Sequence, residues 1–215
     1  MRRLSVKPVL LLVLLMATQL VAADMLTRQA VQNNLTQYAF IKGEFKQERM
    51  LQGISRPIRS SGRFMIWRGH GIYWETNQPL FQATTFLGNR VYYWPDENTP
   101  EIVKDGVLRI NERISQLMLA FFTADFEQLE RDFKADWQLG EKSWTVDLTP
   151  NGMFIGKAIN RVSIQGEQHI ERIDLKLATG DSTSIVLHVS ATGDAPDGES
   201  RTKIEPNDPS GSEAG

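Results

Sequence analysis

The sequence predicts an α+β protein dominated by one long antiparallel β-sheet. From Ile41 onward, about ten short segments alternate apolar and polar residues, the pattern of strands with one buried face. The links between consecutive segments are too short for helical crossovers, so neighbouring strands must run antiparallel. Helical periodicity occurs only near the start and in the middle of the chain.

The first 23 residues have the form of a secretory signal peptide. Basic residues near the start precede an apolar run, Val9–Leu15, and the small residues Val21–Ala23 supply a cleavage site. The apolar run is shorter than the ~20 residues that a membrane-spanning helix needs. We therefore expect residues 1–23 to be removed and the exported protein to begin at Asp24.

Composition limits the remaining possibilities. The chain has no cysteine, which excludes disulfides and a lipid anchor attached through cysteine. Its 24 basic and 26 acidic residues give a net charge of −2, so the basic field of a nucleic-acid-binding protein is missing. Residues 191–215 are rich in Gly, Pro, Ser and acidic residues and are predicted to be a disordered tail. Residues 24–190 then form one domain.

The elements can be assigned in order from these patterns. A moderately amphipathic helix is predicted over Asp24–Ala39, and Gly88-Asn89 fits a two-residue hairpin turn. The predicted strands are Ile41–Leu51, Ser60–Arg68, Ile72–Thr76, Ala83–Leu87, Arg90–Trp94, Trp137–Leu139, Trp144–Leu148, Val162–Ile164, Ile170–Leu177 and Ile185–Val189.

A helix in the middle of the chain is predicted to fill the concave side of the sheet. Its apolar positions recur at helical spacing: Ile114, Leu117, Met118, Phe121 and Phe122. Asp125 is a plausible N-cap for a second short helix. A sheet of this length curls because its strands twist, and the curled face must be filled by side chains, a helix or a ligand.

No constellation of catalytic or metal-binding residues is evident. The histidines His70, His169 and His188 lack the spacing of a metal pair, and His169 with Glu171 is interpreted as a surface pair on one strand. Nucleophile-elbow, phosphate-loop and dinucleotide-binding motifs are missing, and no local spacing suggests a catalytic carboxylate pair. An enzyme, a cofactor and a metal are therefore not expected.

The stretch Ser61–Pro79 is the most aromatic part of the chain. Its tryptophans and tyrosines fit an ordinary sheet core, although their number also fits a container for an apolar ligand. Basic residues cluster between Lys42 and Arg68 and are interpreted first as a solvated face that prevents edge pairing. Docking of an acidic partner is the second interpretation.

Several stretches together resemble the periplasmic lipoprotein-carrier family, the LolA-like proteins. They are Gly43–Gln47, Ser60–Pro79, Leu117–Glu130, Leu148–Pro150, His169–Leu175 and Thr179–Asp181. The resemblance extends from Leu26 to Val189 and implies a bent, unclosed antiparallel barrel, or half-barrel, with a helical lid over an apolar cavity.

The resemblance also implies a function in the periplasm. Members of the family take acylated cargo from an inner-membrane donor transporter, shield its lipid tails and deliver it to an outer-membrane acceptor. That acceptor is itself a lipoprotein, so the lack of cysteine places this chain on the carrier side. A monomer without cofactors is implied.

The resemblance assigns site residues as well. Those implied to line the lipid cavity or lid are Trp67, Ile72, Trp74, Ile114, Leu117, Met118, Phe121 and Phe122. Arg68 is implied to be a latch that donates hydrogen bonds to the lid when the cavity is empty. The Gly69-His70-Gly71 turn and the polar tail depart from the best-known carriers. Two alternatives remain: an envelope regulatory or interaction module that binds no lipid, and a carrier for a glycolipid or another acylated product.

Overall fold

The computed structural model describes residues 26–103, 120, 123 and 125–207, and its main element is one antiparallel sheet. The strands are β1 (Phe40–Met50), β2 (Ile58–Trp67), β3 (Gly71–Gln78), β4 (Gln82–Leu87), β5 (Arg90–Trp94), β6 (Glu101–Ile102), β7 (Phe133–Leu139), β8 (Trp144–Pro150), β9 (Ile159–Gly166), β10 (Ile170–Leu177) and β11 (Ser182–Gly193). Within the described residues the order is β6-β5-β4-β3-β2-β1-β11-β10-β9-β8-β7. Because β6 and β7 remain separate edges, the barrel is open, and the predicted fold class is confirmed.

Short helices cover the sheet. They are α1 (Arg28–Thr36), α2 (Phe126–Asp132), α3 (Met153–Gly156) and α4 (Gly198–Ile204). The Thr27 side chain caps α1 by accepting a hydrogen bond from the backbone N–H of Ala30. Asp125 caps α2 in the same way, as the sequence predicts. Each cap satisfies a backbone donor that the first helical turn leaves unpaired.

The alternation of the strands gives the sheet two differently covered faces. What we call the first face carries the main apolar cluster, and α1, α2 and α3 pack on it through Val31, Leu129 and Ile155. The second face carries a smaller cluster on the β1 to β5 half of the sheet. Its buried members are Phe40, Met65, Tyr73, Ala83, Trp94 and Ile204.

The prediction of a disordered tail from residue 191 is wrong for the residues that the structure describes. β11 continues to Gly193, and α4 follows with Ile204 0% exposed. Composition indicated disorder because Ile204 is the only large aliphatic residue of the segment. The second-face cluster nevertheless provides an aromatic surface that buries this one side chain completely. Residues 208–215 lie outside the described residues.

Polar contacts fix α4 on the second face. Asp197 caps the helix through the N–H of Ser200 and forms an ion pair with Lys42 at 2.7 Å. The Lys42 ammonium and the capping bonds hold the pKa of Asp197 below its usual range. Arg201 lies 5.0 Å from the centre of the Trp67 ring, and Lys203 lies 4.6 Å from that of Trp94.

The Gly-His-Gly turn brings the end of β2 under α4. Gly69 has a φ of +75°, a conformation that side chains with a Cβ rarely adopt. At Gly71 a Cβ would lie 2.4 Å from the carbonyl oxygen of Phe86. His70 stacks on Trp67 with ring centres 3.5 Å apart and lies 2.7 Å from Glu205 beyond α4. The turn therefore forms part of the surface on which α4 packs.

Replacing Ile204 tests this attachment. Ile204→Ala should lower the free energy of unfolding by about 2–5 kcal/mol, because it opens a cavity in the second-face cluster. Urea denaturation of the mature protein measures the change. Thr202→Ala, on an exposed position of the same helix, should stay within about 0.5 kcal/mol of wild type. Equal effects of the two substitutions would contradict the buried attachment of α4.

Candidate functional site

Arg68 lies directly after β2 and connects the sheet to the segments that cover its first face. Its backbone N–H donates to the carbonyl of Ala39 at 2.8 Å. Its guanidinium donates through Nε to the carbonyl oxygen of Tyr38 at 2.9 Å. The other two nitrogens donate to the carbonyls of Leu35 and Thr123. One side chain therefore holds three backbone positions together.

The carbonyls around Arg68 compensate its charge. Leu35 belongs to the last turn of α1, where backbone carbonyls lack helical partners and the helix dipole is negative. Thr123 has helical backbone in the segment before α2. Burial lowers the pKa of Arg68, although a guanidinium stays protonated in proteins. All three acceptors are neutral carbonyls. Breaking these hydrogen bonds therefore leaves only the Arg68 charge without a partner.

The first face encloses a small apolar cavity beside Arg68. Its lining consists of Leu35, Ile41, Phe64, Ile66, Arg68, His169, Ile170, Leu187 and Val189. The volume is ≈ 20 Å³, room for about one water molecule. Pockets that hold small organic ligands are usually about 300–1,000 Å³. The cavity in this conformation is therefore too small for such a ligand.

His169 lies in the turn between β9 and β10, not on a strand, so its interpretation as half of a surface pair with Glu171 is wrong. Its Nδ1 atom is buried and has no hydrogen-bond partner among the described residues. Burial lowers the pKa of His169, and the nearby Arg68 cation lowers it further. His169 therefore places a buried polar atom in an apolar wall. No local pattern could reveal this, because only the fold brings the turn to Arg68.

Two predicted cavity residues lie on the first face. Ile72 is 1% exposed in the first-face cluster, and Trp74 packs against that cluster. The Trp74 ring stacks on Phe45 with centres 4.0 Å apart. Both side chains belong to the wall of the half-barrel, but neither lines the small cavity beside Arg68.

The prediction that Trp67 lines the lipid cavity is wrong. Trp67 packs against the second-face cluster, under Arg201. Strand alternation explains the difference, because Phe64 and Ile66 point to the first face and Trp67 is one residue beyond. The aromatic residues of β2 and β3 thus divide between two separate clusters.

The predicted lid residues Ile114, Leu117, Met118, Phe121 and Phe122 lie outside the described residues. In the part of the chain that is described, Ala120 is buried in the first-face cluster. The aliphatic strand residues that line the cavity were missed as site residues, because they alternate like any strand core. Within the described residues, no group of three His, Asp or Glu side chains could hold a metal ion.

An open half-barrel with an apolar, helix-covered face defines a class of binding proteins. The chain matches the family model of the outer membrane lipoprotein carrier protein LolA over residues 36–199, and it belongs to that family. The resemblance inferred from the sequence is thus confirmed, and the family is one of binding and carrier proteins. No curated protein sequence gives a match. Of the described helices, none is long and apolar enough to cross a membrane.

Solved structures show distant likenesses. A LolA superfamily protein from Nitrosomonas europaea shares 10% identity, with 82% of this chain and 97% of that chain covered and a TM-score of 0.43. A complex of MucA and MucB from Pseudomonas aeruginosa shares 14% identity, with 79% and 56% coverage and a TM-score of 0.40. A lipoprotein-sorting protein domain from Vibrio parahaemolyticus shares 8% identity, with 82% and 95% coverage and a TM-score of 0.38.

The surroundings of His169 predict an altered titration. Its folded-state pKa should lie below the ordinary value of 6.5 when followed by histidine NMR. Because the unfolded chain then binds a proton that the folded chain does not, this group should reduce the stability as pH falls from 6.5 toward the folded pKa.

Substitutions separate the effects of burial and of Arg68 on the pKa of His169. Arg68→Leu should raise the pKa of His169 part of the way toward 6.5, because burial remains. Arg59→Leu, on an exposed position of β2, should leave the pKa of His169 unchanged. His169→Gln should remove this share of the pH dependence of unfolding. A His169 pKa at or above 6.5 in wild type would exclude the buried, neutral state.

Proposed function

We propose that this protein is a periplasmic carrier and chaperone that shields the acyl chains of a lipoprotein, or of a similar acylated lipid, between the inner and outer membranes. The observation that supports the proposal most directly is the small apolar cavity beside Arg68. Its wall is aliphatic and aromatic, and the segments over it are bound to the sheet through a cation and backbone carbonyls. Family membership agrees with this function.

The physical basis of cargo binding is burial of apolar surface. Removal of apolar area from water is worth about 25 cal/mol per Å², so one acyl chain against this wall gives useful affinity. The cavity of ≈ 20 Å³ is too small for such a chain. Cargo binding therefore requires α1 and the segment around Thr123 to move away from the sheet. Ile72 and Trp74 are then positioned to contact the acyl chain.

Arg68 acts as the latch in this scheme. A hydrogen bond to a charged group contributes about 1.5–3 kcal/mol, so even one bond shifts the closed–open equilibrium by roughly tenfold or more. Cargo must break these bonds, and their re-formation helps to expel it. The apparent affinity is reduced by the small fraction of open molecules, which keeps binding weak enough for transfer.

The remaining assignments complete the proposal. The predicted signal peptide directs export, and the lack of cysteine places the mature chain on the carrier side of the pathway. An inner-membrane transporter supplies the cargo, and an outer-membrane acceptor receives it from a monomeric carrier. The predicted lid residues Ile114, Leu117, Met118, Phe121 and Phe122 are assigned to the cover of the cavity.

Binding of an acyl probe tests the proposal. The mature protein should bind an environment-sensitive fluorescent acyl ester saturably and without metal, with a change in tryptophan fluorescence from Trp74. Native mass spectrometry of protein purified from periplasm should show additional acyl-chain mass. A lack of both signals would reject the carrier and favour an envelope interaction module that holds no lipid.

Substitution of the latch tests the transfer step. Arg68→Leu should retain a bound fluorescent lipid longer than wild type, with release slowed roughly tenfold, because re-latching no longer competes with cargo. Arg68→Lys should be intermediate at best, since an ammonium cannot reproduce the planar fork of donors. Stopped-flow displacement measures release, and Arg59→Leu is the matched control. Release from Arg68→Leu at the wild-type rate or faster would show that Arg68 is not a latch.

A further inference from the structure

The sheet separates locally between β10 and β11. Pairing of these strands runs from Lys176 opposite Ser182 to Arg172 opposite Val186. Beyond that point β11 continues along β1 as far as Gly193. In the described part of the chain, no strand pairs with residues 187–193 on the other side. We call this interruption the seam.

A cleft occupies the seam. It is lined on one side by His169, Ile170 and Glu171 and on the other by residues 186–189, and its volume is ≈ 390 Å³. Four of its lining residues also line the small cavity beside Arg68: His169, Ile170, Leu187 and Val189. The outer cleft and the inner cavity thus meet at the same four residues.

The chemistry of the shared wall changes from solvent inward. Glu171 and His188 are exposed on the outside, whereas Ile170 and Leu187 are buried. The aliphatic side chains of the inner wall have no polar atoms that would need desolvation on contact with an acyl chain. The exception is the buried Nδ1 of His169, which has no partner among the described residues.

A buried imidazole nitrogen without a partner is costly, and native proteins usually satisfy such atoms. A neutral imidazole can donate one hydrogen bond to a carbonyl oxygen. The Arg68 cation nearby is already bound by three backbone carbonyls, so it is not free for a ligand in the closed state. A carbonyl oxygen is a matching acceptor for the neutral imidazole N–H of His169.

We propose that the seam between β10 and β11 is the port through which an acyl chain reaches the cavity, and that His169 binds the ester or amide carbonyl at the head of that chain. This inference rests on the proposed function, since it requires a protein that binds acyl chains. In this scheme the acyl chain enters through the sheet and not between α1 and Arg68. His169 then marks the depth at which the apolar tail ends.

A reversible bridge across the seam tests the port. The chain has no cysteine, so two introduced thiols can be linked without background reaction. The variant Glu171→Cys/His188→Cys, bridged by a short bis-maleimide, should slow both binding and release of a fluorescent acyl ester at least tenfold. The dissociation constant should change less than twofold, because a barrier in the path affects both directions equally.

The control bridge lies on the paired part of the same strands. Asp174 and Ser184 are opposite each other in the ladder, so bridged Asp174→Cys/Ser184→Cys should leave both rates unchanged. His188→Cys alkylated with a bulky maleimide obstructs the cleft without requiring two thiols to meet, and it too should slow both rates. Wild-type rates in both seam variants would overturn the port. Lack of probe binding by the unmodified protein would instead reject the proposed function.

Paired ligands test the role of His169. His169→Phe keeps a ring of similar size and removes the nitrogen atoms. It should weaken binding of an acyl ester roughly fivefold, the effect of one lost hydrogen bond. Binding of the matching alkyl ether, which has no carbonyl, should be unchanged. An equal loss for ester and ether would overturn the carbonyl assignment, and a selective loss for the free fatty acid would identify a carboxylate site instead.

Discussion

A half-buried cation against an apolar wall must be matched by oxygen atoms, and this constraint determines how the helical cover of the sheet is arranged. Arg68 draws the C-terminal end of α1, the loop at Tyr38 and the carbonyl of Thr123 to one point. The cover is therefore attached where the strands of the first face end, and the apolar wall below it closes on itself. The same cation helps to keep His169 neutral.

On the second face, a buried carboxylate must be paired. Glu75 is buried there, and its carboxylate accepts hydrogen bonds from Arg63 and Tyr73. Burial raises the pKa of Tyr73 above its ordinary value, with the neighbouring Glu75 adding to the effect. This paired group lies beside the aromatic surface that α4 covers, so the second-face cluster combines apolar packing with satisfied charges. The second-face cluster therefore orders α4 independently of the cavity on the first face.

Strand alternation made most of the fold predictable from sequence. Period-two patterns located the principal strands, and short links determined their antiparallel order. Alternation separates Trp67 from Phe64 and Ile66, but only the register with β3 shows that Ile72 and Trp74 share the face of Phe64 and Ile66. The order of α4 was unpredictable for a related reason, since Ile204 depends on a surface formed by residues more than a hundred positions earlier. His169 and the seam likewise arise only from tertiary structure.

The unequal covering of the sheet has a mechanical consequence. α4 packs against β2, β3 and β4, whereas the second face of β8 to β10 carries polar side chains such as Asp147 and Arg161 that pair across the strands. One half of the wall is thus thickened by a helix, whereas among the described residues no helix packs on the second face of the other half. A thicker plate resists bending more strongly, so the β8 to β10 half is the compliant side. When the interior enlarges, the β8 to β10 half should therefore bend, while the half that α4 covers keeps its curvature.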